Sequence, residues 1–459
     1  MTTTSFTMAG LQDAPLVTDN TIETSVPASH TAPHPSSSSS SSSPQDATTT
    51  FHIGTRSSLL ARVQTDIVLS LLRAAWPKCH FETHSMKTAG DNNQTTALYK
   101  FNDKALWTQE LEVLLQEKKL DLIVHSLKDM PTQLPIDLEL GCVTARGDPR
   151  DAFVMKSSLV GKYKSLAELP EGSVVGTSSL RRTAQLKRSH PHLRFADVRG
   201  NMGTRLSKLD NPESEYSALI LAVAGLDRLG MSSRITAYLS KADGGMLYAV
   251  GQGALGIEIR KDDAKVKELL SKVGCERTTR AVLAERSLMR TLEGGCSVPI
   301  GVETEWVMRK GILDPEVGVG TKPAEEYHNL TGVATSSTAD DSATSSSHAN
   351  GKEAPADNTN VDLNEGELTD GLIMRALVVS LDGSEIAEVE TRRRLTSREE
   401  ADEFGWEVAR QLVAKGADKI LEPGHCAESE DHWGTERGVN GSSSLVESCF
   451  TGVRLRDGI

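Results

Sequence analysis

The sequence predicts an α/β body with largely parallel sheets, and three observations point there. Apolar runs of strand length alternate with amphipathic helical patterns along most of the chain. Apolar residues make up 38% of the 459 positions, and 37 glycines bring the total to an ordinary globular content. The longest apolar run, Ala218 to Leu226, is far shorter than the roughly 18 residues a membrane span needs.

The elements follow in order. "IGTRSSLLA" sets Arg56, Ser57 and Ser58 directly after a short strand. An amphipathic helix around Leu106 to Glu117 precedes the buried strand "DLIVHS" at 121–126. "SVVGTSS" (173–179) reads as a strand running into a turn, and "LRRTAQLKR" (180–188) as the helix after it. "SALILAVAGLDRLG" (217–230) gives a strand and a short helix, and "AVGQGALGIEIR" (249–260) a turn and a strand. Residues 278–292 pattern as a helix with Ala281, Ala284, Leu288 and Leu292 on one face. Gly294 and Gly295 stop that helix, and Cys296 follows in the turn.

Charge is unevenly spread. The net value of −13 hides three acidic segments: 1–50 at −4, 312–371 at −10 and 422–459 at −4. The remaining body is mildly basic, at about +5. The first segment is Thr-rich, ends in the run Ser36 to Ser43, and lacks the apolar core of a secretory signal. It is expected to be a disordered tail, as is 426–459. The span 308–370 is expected to be a disordered insertion, too poor in apolar residues to pack. Six cysteines without a CxxC pair exclude a disulfide scaffold and a zinc finger. Nucleic acid is not expected as a partner, since there is no basic tract and aromatics are only 4%. Cys79, His80 and His84 are close in sequence, but the histidines share a strand face only through their even spacing, and no metal site is assigned there.

Ligands in α/β folds bind beyond the carboxyl ends of strands. After strand 121–126 come Lys128 and Asp129. After 173–176 come Thr177, Ser178, Ser179, Arg181 and Arg182. "DVRGNMGTR" offers Arg199 and Arg205 beside two glycines. Two arginines in a first helical turn oppose the helix dipole, and an anionic ligand resolves that conflict. One such arginine alone reads as a solvated charge, but the same chemistry recurs at successive strand ends, and arginine suits carboxylates. Asp129 reads either as a turn residue before Met130-Pro131 or as a carboxylate placed to stabilise a developing cation. Cys296 reads either as a small buried hydrophobe or as an accessible thiol.

The motifs "VHSLKDMP", "VGTSSLRR", "RGNMGTRLSKLD", "LAVAGLDRLG", "AVGQGALGIE" and "LEGGCSVPIG" occur in order, and the chain resembles the porphobilinogen deaminase family. The resemblance runs from about Ile53 to Gly301, and more weakly through 372–421. It implies two α/β domains similar to periplasmic binding proteins, facing each other across a cleft, and a smaller α+β domain. The boundaries expected are 51–150 with 247–275, then 151–246, then 276–425. It also implies four porphobilinogen molecules joined head to tail into hydroxymethylbilane, with loss of ammonia at each step. Growth starts on a dipyrromethane cofactor held by thioether. Cys296 matches the anchoring cysteine and Asp129 the catalytic aspartate, with Lys128 assisting both catalysis and cofactor binding. Arg181, Arg182, Arg205, Thr177, Ser178 and Ser179 match cofactor-binding positions. Arg56, Ser58, Arg199, Arg205, Arg228 and Gln252 match substrate-binding positions, as do Lys100 and Lys104 on a lid at about 91–104. Gln109 stands where the family commonly has lysine, so that position lacks its charge. A cytoplasmic monomer is expected, with porphobilinogen as its partner and no membrane. The competing readings are a non-catalytic two-lobed anion-binding protein and a phosphate-transfer enzyme, the latter without a G-x-x-x-x-G-K-[ST] loop.

Overall fold

A computed structural model describes residues 49–88, 108–241, 245–292, 298–308, 321–323 and 368–422. Cys296, the lid at 91–104 with Lys100 and Lys104, both expected tails beyond those limits, and most of the acidic insertion lie outside the described residues.

The described strands form three sheets. The first has the order β2 (His80–Met86), β1 (Thr50–Arg56), β3 (Leu122–Ser126), β10 (Leu255–Arg260), β4 (Leu138–Val143). The second has the order β7 (Arg194–Ala196), β6 (Val174–Gly176), β8 (Tyr216–Ala222), β5 (Asp151–Met155), β9 (Ala237–Leu239). The two orders follow one pattern. In each sheet three strands pair in parallel, and a strand arriving from the other lobe inserts antiparallel before the last one. Half of these pairings are therefore antiparallel, which corrects the expectation of largely parallel sheets. The cause is topological. β5 and β10 follow the two chain crossings between lobes, so no βαβ crossover ties them parallel to a neighbour. The repeated order is that of a two-lobed, binding-protein-like α/β fold.

The first lobe is held by α1 (Leu59–Ala75), which buries Ala61, Thr65, Val68, Leu69 and Leu72 at helical spacing. Val68, Leu69 and Leu72 pack on Phe51, Ile53 and Val124 of the sheet. Each large apolar side chain so buried stabilises the fold by roughly 1.5–3 kcal/mol. The helix expected at 106–117 is described as α2 (Gln109–Gln116), opened by Gln109. The segments that cross between lobes touch at Gly147 and Gly253, where Gly147 N donates to Gly253 O at 3.1 Å. Gly253 has φ +85°, and a Cβ there would run into the Gly147 carbonyl, so this crossing requires glycine.

The third sheet has the order β12 (Thr321–Pro323), β11 (Ile300–Met308), β13 (Leu368–Val379), β14 (Ile386–Arg394). Two helices cover it, α7 (Glu276–Thr291) and α8 (Arg398–Ala414). Ala281, Ala284, Leu288 and Leu292 face its core, as their spacing predicts, against Phe404 and Val408 of α8. Gly405 lets the two helices approach, since a Cβ there would meet the Ala284 carbonyl. The expectation of a wholly unstructured 308–370 span is corrected in part. Thr321–Pro323 pairs in parallel with Trp306 to Met308, and Leu368 to Asp370 open β13. Backbone pairing along the free edge of β11 orders that short piece without a need for apolar content.

Candidate active site

The strand ends of both lobes meet at one cavity of about 680 Å³. Among the described residues, eight arginines and lysines line it against one carboxylate, Asp129. Four helices open onto it: α1, α3 (Leu180–Ser189), α4 (Met202–Asp210) and α5 (Val223–Arg228). None carries an acid in its first turn. By contrast, α2, α7 and α8 begin with glutamates, while α6 (Ala264–Leu270), which does not line the cavity, is capped by Asp263. A helix start without an acid leaves its positive dipole end and unpaired N–H groups to an anion.

Lys128 and Asp129 sit on a single 3-10 turn, Leu127–Asp129, immediately beyond β3. Buried Leu127 anchors that turn, its N–H donating to Ala254 O at 3.0 Å. Asp129 is half-buried on the cavity wall. Burial pushes the Lys128 ammonium down to about 8, despite the pull of Asp129 the other way. Its Nζ lies 3.5 Å from Gln252 Oε1.

Arg181 and Arg182 are buried in the first turn of α3 and share one counter-ion, Asp151. Arg181 Nη1 lies 2.8 Å from Asp151 Oδ2, and Arg182 Nη2 lies 2.7 Å from Oδ1. Burial alone would raise the Asp151 carboxyl, but the two guanidiniums hold it well below the usual range. Two cations against one anion leave a net positive charge on this wall. Arg181 Nε is buried and has no hydrogen-bond partner among the described residues. Arg205 donates from Nε to Gly200 O at 2.8 Å, and Arg228 from Nη2 to Gly253 O at 2.6 Å. Burial lowers both to about 10, so both remain charged at neutral pH. Arg56 and Arg199 line the same cavity.

Several hydroxyls expected at the site are committed to the backbone. Ser58 caps α1, accepting from Ala61 N at 3.3 Å. Ser178 Oγ donates to Val198 O at 2.9 Å, tying the turn after β6 to that after β7. Ser179 starts α3 without capping it, and its own N–H donates to Thr177 Oγ1 at 3.3 Å. Thr177 is buried directly behind Ser179, which it holds through that bond. Gln252 is on the wall, but its amide donates inward to Pro149 O at 2.7 Å and Asp151 Oδ1 at 2.9 Å.

Sequence reasoning missed Lys87 on the wall, the Asp151 counter-ion, and the pair behind the crossing segments. Arg146 Nη1 meets Glu285 Oε1 at 2.6 Å, and Gly251 N donates to Glu285 Oε2 at 2.8 Å. One buried carboxylate of α7 thus clamps both crossings. Glu285 was legible: it lies four residues after Ala281, a charge on an apolar helical face.

Fold and site together define a two-lobed α/β protein whose cavity is built for a polycarboxylate and holds one carboxylate of its own. A family model for the porphobilinogen deaminase dipyromethane cofactor binding domain matches residues 51–268, and one for the porphobilinogen deaminase C-terminal domain matches 279–329. Porphobilinogen deaminase of Yarrowia lipolytica is 46% identical over 378 residues, covering 81% of this chain and 93% of its own. That of Candida albicans is 44% identical over 375 residues, covering 81% and 91%. That of Saccharomyces cerevisiae is 54% identical over 261 residues, covering 56% and 79%. The chain belongs to the porphobilinogen deaminase family. The periplasmic aliphatic sulphonate binding protein SsuA from Escherichia coli aligns with 53% of this chain and 70% of its own, at 13% identity and TM-score 0.29. The fold assignment rests on strand order, not on that likeness. The residues present fit the dipyrromethane group, whose carboxylates match the cationic surplus and the unpartnered Arg181 Nε. No helix among the described residues is long and apolar enough to cross a membrane.

Proposed function

We propose that this protein is a transferase that joins four porphobilinogen molecules head to tail into the linear tetrapyrrole hydroxymethylbilane, releasing one ammonia at each step. The observation that carries this reading is that, among the described residues, Asp129 is the one carboxylate in a cavity lined by eight cations. The dipyrromethane cofactor, when bound, supplies the free pyrrole position to which the first substrate is joined. Arg181, Arg182 and Arg205, with Lys128, Thr177, Ser178 and Ser179, hold the cofactor carboxylates. Arg56, Ser58, Arg199, Arg205, Arg228 and Gln252 form the substrate end, and the family resemblance adds Lys100 and Lys104. As ammonia leaves porphobilinogen, positive charge develops on the pyrrole nitrogen. Asp129 stabilises that charge and moves the proton that the new bond displaces.

Cys296 anchors the cofactor by thioether in this reading. Its support is local: Met289, Val298 and Ile300, on either side of it in sequence, all line the cavity. Residues 51–150 with 247–275 form the catalytic lobe, 151–246 the second lobe and 276–425 the anchoring domain of a cytoplasmic monomer.

The test is an intact mass of the purified protein with mapping of the Cys296 peptide. A two-pyrrole increment on that peptide, and further increments after brief exposure to porphobilinogen, are expected. A peptide that stays unmodified after prolonged exposure to porphobilinogen overturns the reading and leaves a non-catalytic anion-binding protein.

A further inference from the structure

Back along β1 and β2 from Arg56 and Lys87 at the cavity, the edge of the first sheet gathers ligand-type side chains. β2 is the outermost strand, and its parallel register sets Glu82 opposite His52 and His84 opposite Gly54. Residues two apart on a strand share a face, so His80, Glu82 and His84 stand in one row beside His52. His52 Nδ1 lies 2.9 Å from His84 Nε2 and 3.5 Å from Glu82 Oε2. One donor atom from each of His52, Glu82 and His84 lies within 4.8 Å of the other two. The sequence hides this set, because His52 comes from a different strand than the other two.

We propose that His52, Glu82 and His84 form a binding site for a borderline divalent transition-metal ion, with zinc as the natural occupant and solvent in the fourth position. Two imidazoles and one carboxylate suit zinc, whereas hard ions such as calcium and magnesium take oxygen ligands. Two nitrogens bound tetrahedrally at about 2.0–2.1 Å stand roughly 3.3 Å apart. The rings need to part by only a few tenths of an ångström. Without metal, one ring donates its proton to the other across the gap. With metal, both rings offer lone pairs, and their protons sit on His52 Nε2 and His84 Nδ1.

The frame is already ordered. β1 and β2 pair along all seven residues, and the His52 N–H donates to Asp121 Oδ2 at 2.7 Å. His80 Nε2, 3.6 Å from Glu82 Oε1, faces the carboxylate oxygen turned away from the metal. That contact is the kind of outer partner that fixes a metal-bound carboxylate. The ion would tie the edge strand to its neighbour, and β2 runs on to Lys87 at the cavity.

The experiment is a calorimetric titration of chelator-treated holoenzyme with zinc chloride, beside the His84→Ala single variant and the His52→Ala/His84→Ala double variant. One zinc per chain is expected in the wild type, with an affinity at least 100-fold weaker in His84→Ala and no such site in the double variant. His80→Ala should weaken binding by about tenfold. Zinc should raise the melting temperature of the wild type alone, and the metal-free variants should melt with the wild type because His84 is exposed. Cobalt(II), added to the wild type by itself, should give the intense visible absorption of a near-tetrahedral site. The same stoichiometry and affinity in the double variant, or no binding to the wild type at about 1 mM zinc, overturns the proposal.

Discussion

The two lobes share one strand order but deliver different chemistry to the cavity between them. In the first lobe, charged groups stand on turns and strand ends: Arg56 closes β1, and Lys128 with Asp129 follows β3. In the second, Arg181, Arg182 and Arg205 stand on helices and are fixed by internal partners, the first two by Asp151 and the third by Gly200 O, and Arg199 alone lies in a loop. The strand equivalent to β3 is β8, and the first three residues beyond it, Val223, Ala224 and Gly225, carry no charged group. A doubled scaffold thus carries one set of braced cations and one turn that bears a carboxylate. Rigid cations bind without loss of side-chain freedom, whereas in the proposed function a carboxylate at a turn faces the reacting atoms without being neutralised by a fixed pair.

The largest effect should come from removing the group that only one lobe has. Asp129→Asn keeps volume and removes the charge, and turnover of porphobilinogen should fall by about 10²–10⁴-fold. Substrate should still bind, and the melting temperature should stay near that of the wild type. Near-normal ammonia release from this variant would erase the distinction between the lobes.

Next comes the support of the braced cations. Asp151→Asn leaves two buried guanidiniums without their counter-ion, which should cost about 3–5 kcal/mol in urea unfolding. A loss under about 1 kcal/mol would mean that the second lobe does not depend on its buried pairing.

The turn that bears the carboxylate should also show itself in pH. With burial holding Lys128 at about 8, its charge is lost as pH rises through that value. The kcat/KM for this dicarboxylate substrate should therefore fall about tenfold per unit above pH 8 in the free enzyme. Lys128→Arg should move that limb to higher pH. The sign for stability is opposite. The unfolded lysine holds its proton up to about 10.5, so burial destabilises the fold below pH 8 and this penalty fades between 8 and 10.5. Urea midpoints measured across that range would sharpen or remove the assignment.

The smallest effect should be at Ser58. Ser58→Ala removes the cap of α1 and should cost about 1 kcal/mol of stability. A raised KM with unchanged stability would instead mark Ser58 as a ligand contact.

Much of the site was legible because it is local. A strand followed by serines and arginines is a contiguous stretch, and its dipole conflict is visible in the letters from Thr177 to Arg182. The same holds for the helical face Ala281, Ala284, Leu288 and Leu292, and for the −10 carried by 312–371. What the sequence could not decide depends on distant strands. It did not say that β5 and β10 insert antiparallel, since strand direction there follows from where the chain crosses between lobes. Nor did it pair Arg146 with Glu285, 139 positions apart, or Asp151 with both arginines of α3. His52 and His84 are 32 residues apart and meet only through the register of two parallel strands. Periodicity and dipoles act over one turn or one strand and so are written in the chain. Counter-ions and neighbouring strands are chosen by the closing of the fold, where burial of a charge is tolerable only beside its partner.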